Sequence, residues 1–229
     1  MQMKERTMHI FDTPAPVSAV LDIPAGCIRF IAADRADTTV EILPADASKS
    51  RDVKAAEQTR VAYSDGVLRI DAPEAKNRVF GPSGSVEVTV QLPAGSRVEA
   101  TAALAEFRGV GRLGDVAIEG AQATIKLDET TGARLTLQAG DISVGRLGGP
   151  AQISTQKGDL RITEAVRGTV TLRTESGDIS VGAARGVSAS LDAGTTYGRV
   201  HNALKNTNGS AGLNFHATTA YGDITARSL

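Results

Sequence analysis

The chain has 229 residues, 41% of them hydrophobic and 22% charged, with 25 Lys+Arg against 26 Asp+Glu. A formal net charge of −1 carries no clustered basic excess, which argues against nucleic acid or an anionic membrane as partner. The single cysteine, Cys27, excludes an internal disulfide. Aromatics make up 3% with no Trp, so the core must be filled by aliphatic side chains.

Residues 1–7 read as a disordered N-terminus. No apolar h-region follows Met1–Thr7, and no run approaches the roughly 20 residues a membrane helix needs, so the expected location is cytoplasmic, with surface association only through trimming or an anchoring partner. Residues 8–97 form an N-terminal β region that starts and caps the repeats C-terminal to it. Its predicted strands are Met8–Phe11, Ser18–Ile23, Cys27–Ala32, Thr38–Leu43, Thr59–Tyr63, Val67–Asp71 and Ser85–Leu92. Asp65-Gly66 between two of them signals a hairpin. Pro24-Ala25-Gly26 and Pro93-Ala94-Gly95 follow similar strands and read as equivalent turns. The polar stretch 44–58 has helical character in its second half. Residues 73–84 are a loop bounded by Pro and Gly. In it, Phe80 beside Lys76 and Arg78 is a candidate protein-binding anchor, since an exposed ring next to basic groups fits an interface.

From 98 to 229 the pattern is periodic. Gly-Asp precedes a short alternating strand at Gly114, Gly140, Gly158, Gly177 and Gly222, and a sixth copy at Gly198 carries Arg199 in place of Asp. A period of about twenty residues predicts stacked coils, because one unit cannot bury its own apolar face. A second strand lies between consecutive copies, and Ala123–Leu127 reads as a further coil strand without its Gly-Asp. Alternation turns Ile142, Leu160, Ile179, Val200 and Ile224 inward as one ladder, in that order. The fold class expected is all-β, a right-handed parallel β-solenoid with about two strands per coil.

The Gly-Asp corners read as turn chemistry: Gly takes positive φ and Asp bonds nearby amides. Calcium-binding rolls use a nine-residue Gly-Gly-x-Gly-x-Asp unit, half this period, and calcium takes six to eight oxygens, so one Asp per coil is a poor match. His9, His201 and His216 have no metal-ligand spacing and read as surface residues. Neither a hydrolase elbow nor a phosphate loop is present. The expectation is therefore no catalytic residues, no metal and no cofactor. Tyr197 and Tyr221 close two Thr-Thr…Tyr-Gly corners and are expected to stack in adjacent coils.

The Ser/Lys-Gly-Asp-Ile-x-Val copies, Leu21-Asp22-Ile23-Pro24-Ala25-Gly26, Val90-Gln91-Leu92-Pro93-Ala94-Gly95 and the closing Tyr221-Gly222-Asp223-Ile224 together resemble the bacterial putative adhesin family. This is a group of β-strand-repeat proteins of unknown function. The stretch Asp52–Thr59 is most similar to its actinobacterial members. The resemblance spans about 8–227 and implies a right-handed β-solenoid with an adhesion or interaction role. The function expected is a non-enzymatic scaffold for protein binding. A homo-oligomer assembled through solenoid ends, and a polysaccharide-active or calcium-binding β-helix, are the alternatives.

Overall fold

The computed structural model describes residues 7–72, 84–206 and 211–229. The N-terminal strands are β1 (Thr7–Asp12), β2 (Ser18–Asp22), β3 (Ala25–Ala33) and β4 (Asp37–Pro44). Helix α1 (Ser50–Gln58) precedes β5 (Arg60–Ser64), β6 (Val67–Asp71) and β7 (Val86–Pro93). The long β8 (Arg97–Ala139) keeps its backbone pairing around several corners. Then come β9 (Ile142–Leu147), β10 (Ala151–Lys157), β11 (Leu160–Ala165), β12 (Gly168–Ser176) and β13 (Ile179–Ala183). The chain ends with β14 (Ala189–Tyr197), β15 (Val200–Ala203), β16 (Leu213–Tyr221) and β17 (Ile224–Ser228).

These strands form a parallel solenoid of two facing sheets. One sheet runs β6, β2, β8, β10, β12, β16, β14, with β8 contributing successive segments. The other runs β7, β3, β8, β9, β11, β13, β17, β15. Alternation sends every second side chain between the sheets, and the buried hydrophobic set is Val, Ile, Leu and Ala, with Phe30, Phe107 and Phe215 as its largest members. At the N-terminal end the stacking turns antiparallel, as β5 pairs with β6, β4 with β7 and β1 with β4. Helix α1 lies against this end. Its Asp52 is buried and accepts the Ser85 amide at 3.0 Å. The hairpin at Asp65-Gly66 forms, with φ of 51° and 77° at its two central residues.

Three expectations need correction. The coils do not stack in chain order. Strands β12 and β13 are followed in space by β16 and β17, and β14–β15 is the outermost coil. The inward ladder therefore runs Ile142, Leu160, Ile179, Ile224, Val200, and Val200 is 45% exposed at its end. The N-terminal half repeats this device: β2 and β3 lie between the β6–β7 coil and the first turn of β8. The first and last coils of the chain thus gain partners on both sides, which suppresses fraying where chain ends loosen.

The Gly114-Asp115 copy is the second correction. Ala123, not Gly114, lies under Gly140, and Ile125 and Leu127 pair with Ile142 and Val144. Gly114 sits instead at the opposite corner, its amide donating to the Ser96 carbonyl at 2.8 Å. The third concerns the two Pro-Ala-Gly turns. Pro24 lies where the chain passes from the first sheet to the second, and Pro93 where it returns, so they occupy opposite corners. Both errors share one cause: a Gly-containing corner is needed on each side of a flattened coil, and local sequence does not label the side.

Candidate interaction surface

The Gly-Asp corners are built by contact between coils. At Gly158, Gly177 and Gly222 a Cβ would lie 2.0–2.1 Å from the carbonyl oxygen of the glycine one coil below, so only Gly fits. The aspartates form a hydrogen-bonded column. Asp141 Oδ1 accepts the Asp159 amide, Asp159 Oδ1 the Asp178 amide, Asp178 Oδ1 the Asp223 amide and Asp223 Oδ1 the Arg199 amide, each at 2.8 Å. Each carboxylate thus serves the coil above it, and among the described residues the outermost coil has none above. That position holds Arg199, which explains the lost Asp.

Sequence reasoning missed a second column. A Thr stands three residues before the Gly in these coils, and its hydroxyl donates to the Gly carbonyl of the coil below. The bonds are Thr155 to Gly140 at 3.4 Å, Thr174 to Gly158 at 3.2 Å, Thr219 to Gly177 at 3.1 Å and Thr195 to Gly222 at 3.0 Å. The repeat is therefore Thr-x-x-Gly-Asp. The missed signal was a polar residue recurring at an inward register position. A buried hydroxyl needs a partner, and in each of these coils the carbonyl of the coil below supplies one.

The last two coils of the stack, β16–β17 and β14–β15, carry a cluster of exposed groups. Tyr197 and Tyr221 are register partners, stacked with centroids 5.0 Å apart and planes 6° from parallel. They remain 64% and 59% exposed. Beside them, Arg199, Val200, His201, Asp223 and Thr225 line a groove of about 460 Å³. The Arg199 guanidinium reaches Asp223 at 3.5 Å with its side chain 89% exposed. His216 faces Asp192 on the other sheet at 3.3 Å. A second groove of about 440 Å³ crosses mid-stack between Arg97, Asp115, Arg134 and Pro150.

Lys76, Arg78 and Phe80 lie outside the described residues. The anchors on either side of them are visible: the Ala72 amide donates to the Asp22 carbonyl at 2.9 Å, and Ser85 is held by Asp52. His9 is half-buried, stacked at 6.3 Å on Phe11. Cys27 is half-buried on β3; burial pushes its thiol above the usual range, reinforced by Glu106. Among the described residues no three His, Cys, Asp or Glu are grouped to hold a metal ion, and no helix is long and apolar enough to cross a membrane.

A parallel stack of two-stranded coils with an open end defines a solenoid scaffold. The chain belongs to the Toastrack DUF4097 family, whose model matches residues 21–228. Solved structures to which the chain is similar include a putative cell adhesion protein of Clostridium sporogenes, at 13% identity and a TM-score of 0.42, covering 98% of this chain and 100% of that one. A putative adhesin of Bacteroides fragilis matches at 12% identity and a TM-score of 0.39, covering 98% of each chain. A putative lipid binding protein of Parabacteroides distasonis matches at 12% identity and a TM-score of 0.45, covering 96% of each. A comparison with curated proteins finds no significant match.

Proposed function

We propose that this protein is a non-enzymatic interaction scaffold that presents a protein-binding surface at the open end of its solenoid. The observation that carries this reading is the Tyr197–Tyr221 pair. Two stacked rings more than half exposed, beside an edge with no strand beyond it among the described residues, form the kind of rigid aromatic anchor that dominates interface energetics. The adhesion role implied by the sequence resemblance is of the same kind. Lys76, Arg78 and Phe80, carried by the segment that joins β6 to β7 at the opposite end of the stack, are a separate contact element in this reading.

A photo-crosslinking residue at position 197, used in extracts of the native cell, tests it. A discrete protein adduct is expected at 197 and none at Thr171, which sits mid-stack. Adducts at neither site, or equally at both, would overturn the proposal.

A second reading, end-to-end self-association, is favoured by the nine-residue β14, whose outer edge carries no Lys or Pro to blunt it. A strict monomer in sedimentation analysis at high concentration would remove it.

A further inference from the structure

In each coil of the C-terminal stack, the corner Gly amide and the amide two residues later donate to the coil above. Gly158 and Leu160 donate to Ser176 and Asp178, Gly177 and Ile179 to Tyr221 and Asp223, and Gly222 and Ile224 to Tyr197 and Arg199, all at 2.8–3.0 Å. In the outermost coil the equivalent amides are those of Gly198 and Val200. No coil lies above them among the described residues. Two backbone donors therefore point outward at the spacing a β-strand satisfies.

The side chains around them differ from every coil below. Where the others offer a carboxylate to an incoming amide, this one offers the Arg199 guanidinium. Its contact with Asp223 sits at 3.5 Å and engages one nitrogen, leaving donors in the planar fork that suits a carboxylate. Arg199 and Asp223 are the charged pair lining this groove, and Arg199 is the more exposed, 89% against 45%, so the cation is the group an incoming chain meets first. A further coil of this chain's own type would bring its Asp amide to Arg199 and find no acceptor there. Val200, 45% exposed, supplies an apolar contact beside these groups.

We propose that the Gly198–Val200 corner captures an extended, acidic segment of a partner protein as an added β-strand, its carbonyls on the two free amides and a carboxylate on Arg199. This rests on the scaffold reading above and names its partner's chemistry.

Nine-residue fluorescein-labelled peptides of alternating Val and Thr, carrying either two Asp or two Lys, test it by fluorescence polarisation on the full chain. The Asp peptide is expected to bind and the Lys peptide to bind at least about tenfold more weakly, a difference of about 1.4 kcal/mol. Arg199→Glu should reverse that preference and Arg199→Gln should abolish it. Arg199 is a surface residue, so both variants should unfold as wild type does. Amide exchange at Gly198 and Val200 should slow when the Asp peptide is bound. Equal binding of the two peptides, no binding up to about 1 mM, or unchanged exchange overturns the inference. A dimer that persists in Arg199→Glu would assign the edge to a second copy and also overturn it. If position 197 crosslinks in extracts while the Asp peptide does not bind, this inference fails and the scaffold reading stands; absence of both removes both.

Discussion

Gly177→Ala isolates what the corner requires. The added Cβ would meet the Gly158 carbonyl oxygen at 2.0 Å and its carbon at 2.5 Å. Both are backbone atoms of the coil below, so no rotamer relieves the clash, and the φ of +153° adds strain of its own. The two coils must separate locally by about 1.4 Å to reach ordinary contact, a shift large enough to break their bonds. Four bonds span that joint: Gly158 amide to Ser176 carbonyl at 2.9 Å, Leu160 amide to Asp178 carbonyl at 2.9 Å, Asp178 amide to Asp159 Oδ1 at 2.8 Å, and Thr174 hydroxyl to the Gly158 carbonyl at 3.2 Å. At about 1 kcal/mol each, losing half to all of them destabilises by about 2–4 kcal/mol. For a chain of this size that lowers the melting temperature by about 4–16 °C. Gly194→Ala is the control, since a Cβ there meets nothing within 4 Å and its φ is not positive; it should change stability by less than about 0.5 kcal/mol. Chemical denaturation read by circular dichroism measures both. A loss below about 1 kcal/mol for Gly177→Ala, matching the control, would refute the close-contact account.

The column of aspartates makes a graded prediction. Asp178→Ala should destabilise by about 1–2 kcal/mol, because it strips one charge-assisted bond from the Asp223 amide at a corner that water reaches, while Arg199→Ala should be neutral within about 0.5 kcal/mol. Thermal melts of the two variants check this, and equal losses would contradict the column. Joining Ala184 directly to Gly212 removes the outermost coil. Since β16 and β17 already pair with β12 and β13, the shortened chain should fold with the same parallel-sheet spectrum and lose the Tyr197–Tyr221 contact. An unfolded product would show that the outer coil is required for folding. At Asp46, hydrogen bonds from the Ser48 side chain and amide, then Lys49, hold the carboxyl down at about 2 from a reference of 3.8. A depressed folded value means that its stabilisation is present above about pH 3.8 and is lost as pH falls through about 2. Carboxyl NMR should show that midpoint, and Ser48→Ala should raise it.

Much of the architecture was legible in the residues. Alternation located Ser18–Ile23, Cys27–Ala32 and the C-terminal strands, because a side-chain period of two survives burial on one face. The missing Gly-Asp at Ala123 still yielded its strand, which pairs Ile125 with Ile142. The Tyr197–Tyr221 stack was legible from the repeated corner. Arg199 was visible as a deviation, but its meaning was not. A lost Asp reads as drift until the coil is seen to be outermost, where no amide awaits a carboxylate.

The sequence by itself determined the coil: its length, its inward side chains, and the glycines that let one backbone approach the next. Only the tertiary structure decided the order of the coils. Backbone bonds between coils are the same whichever two coils meet, so repeat spacing carries no information about neighbours. The observed order is the one in which every Asp of the column finds an amide above it. Asp178 meets the Asp223 amide, Asp223 meets the Arg199 amide, and the coil that lacks an acceptor is left facing solvent.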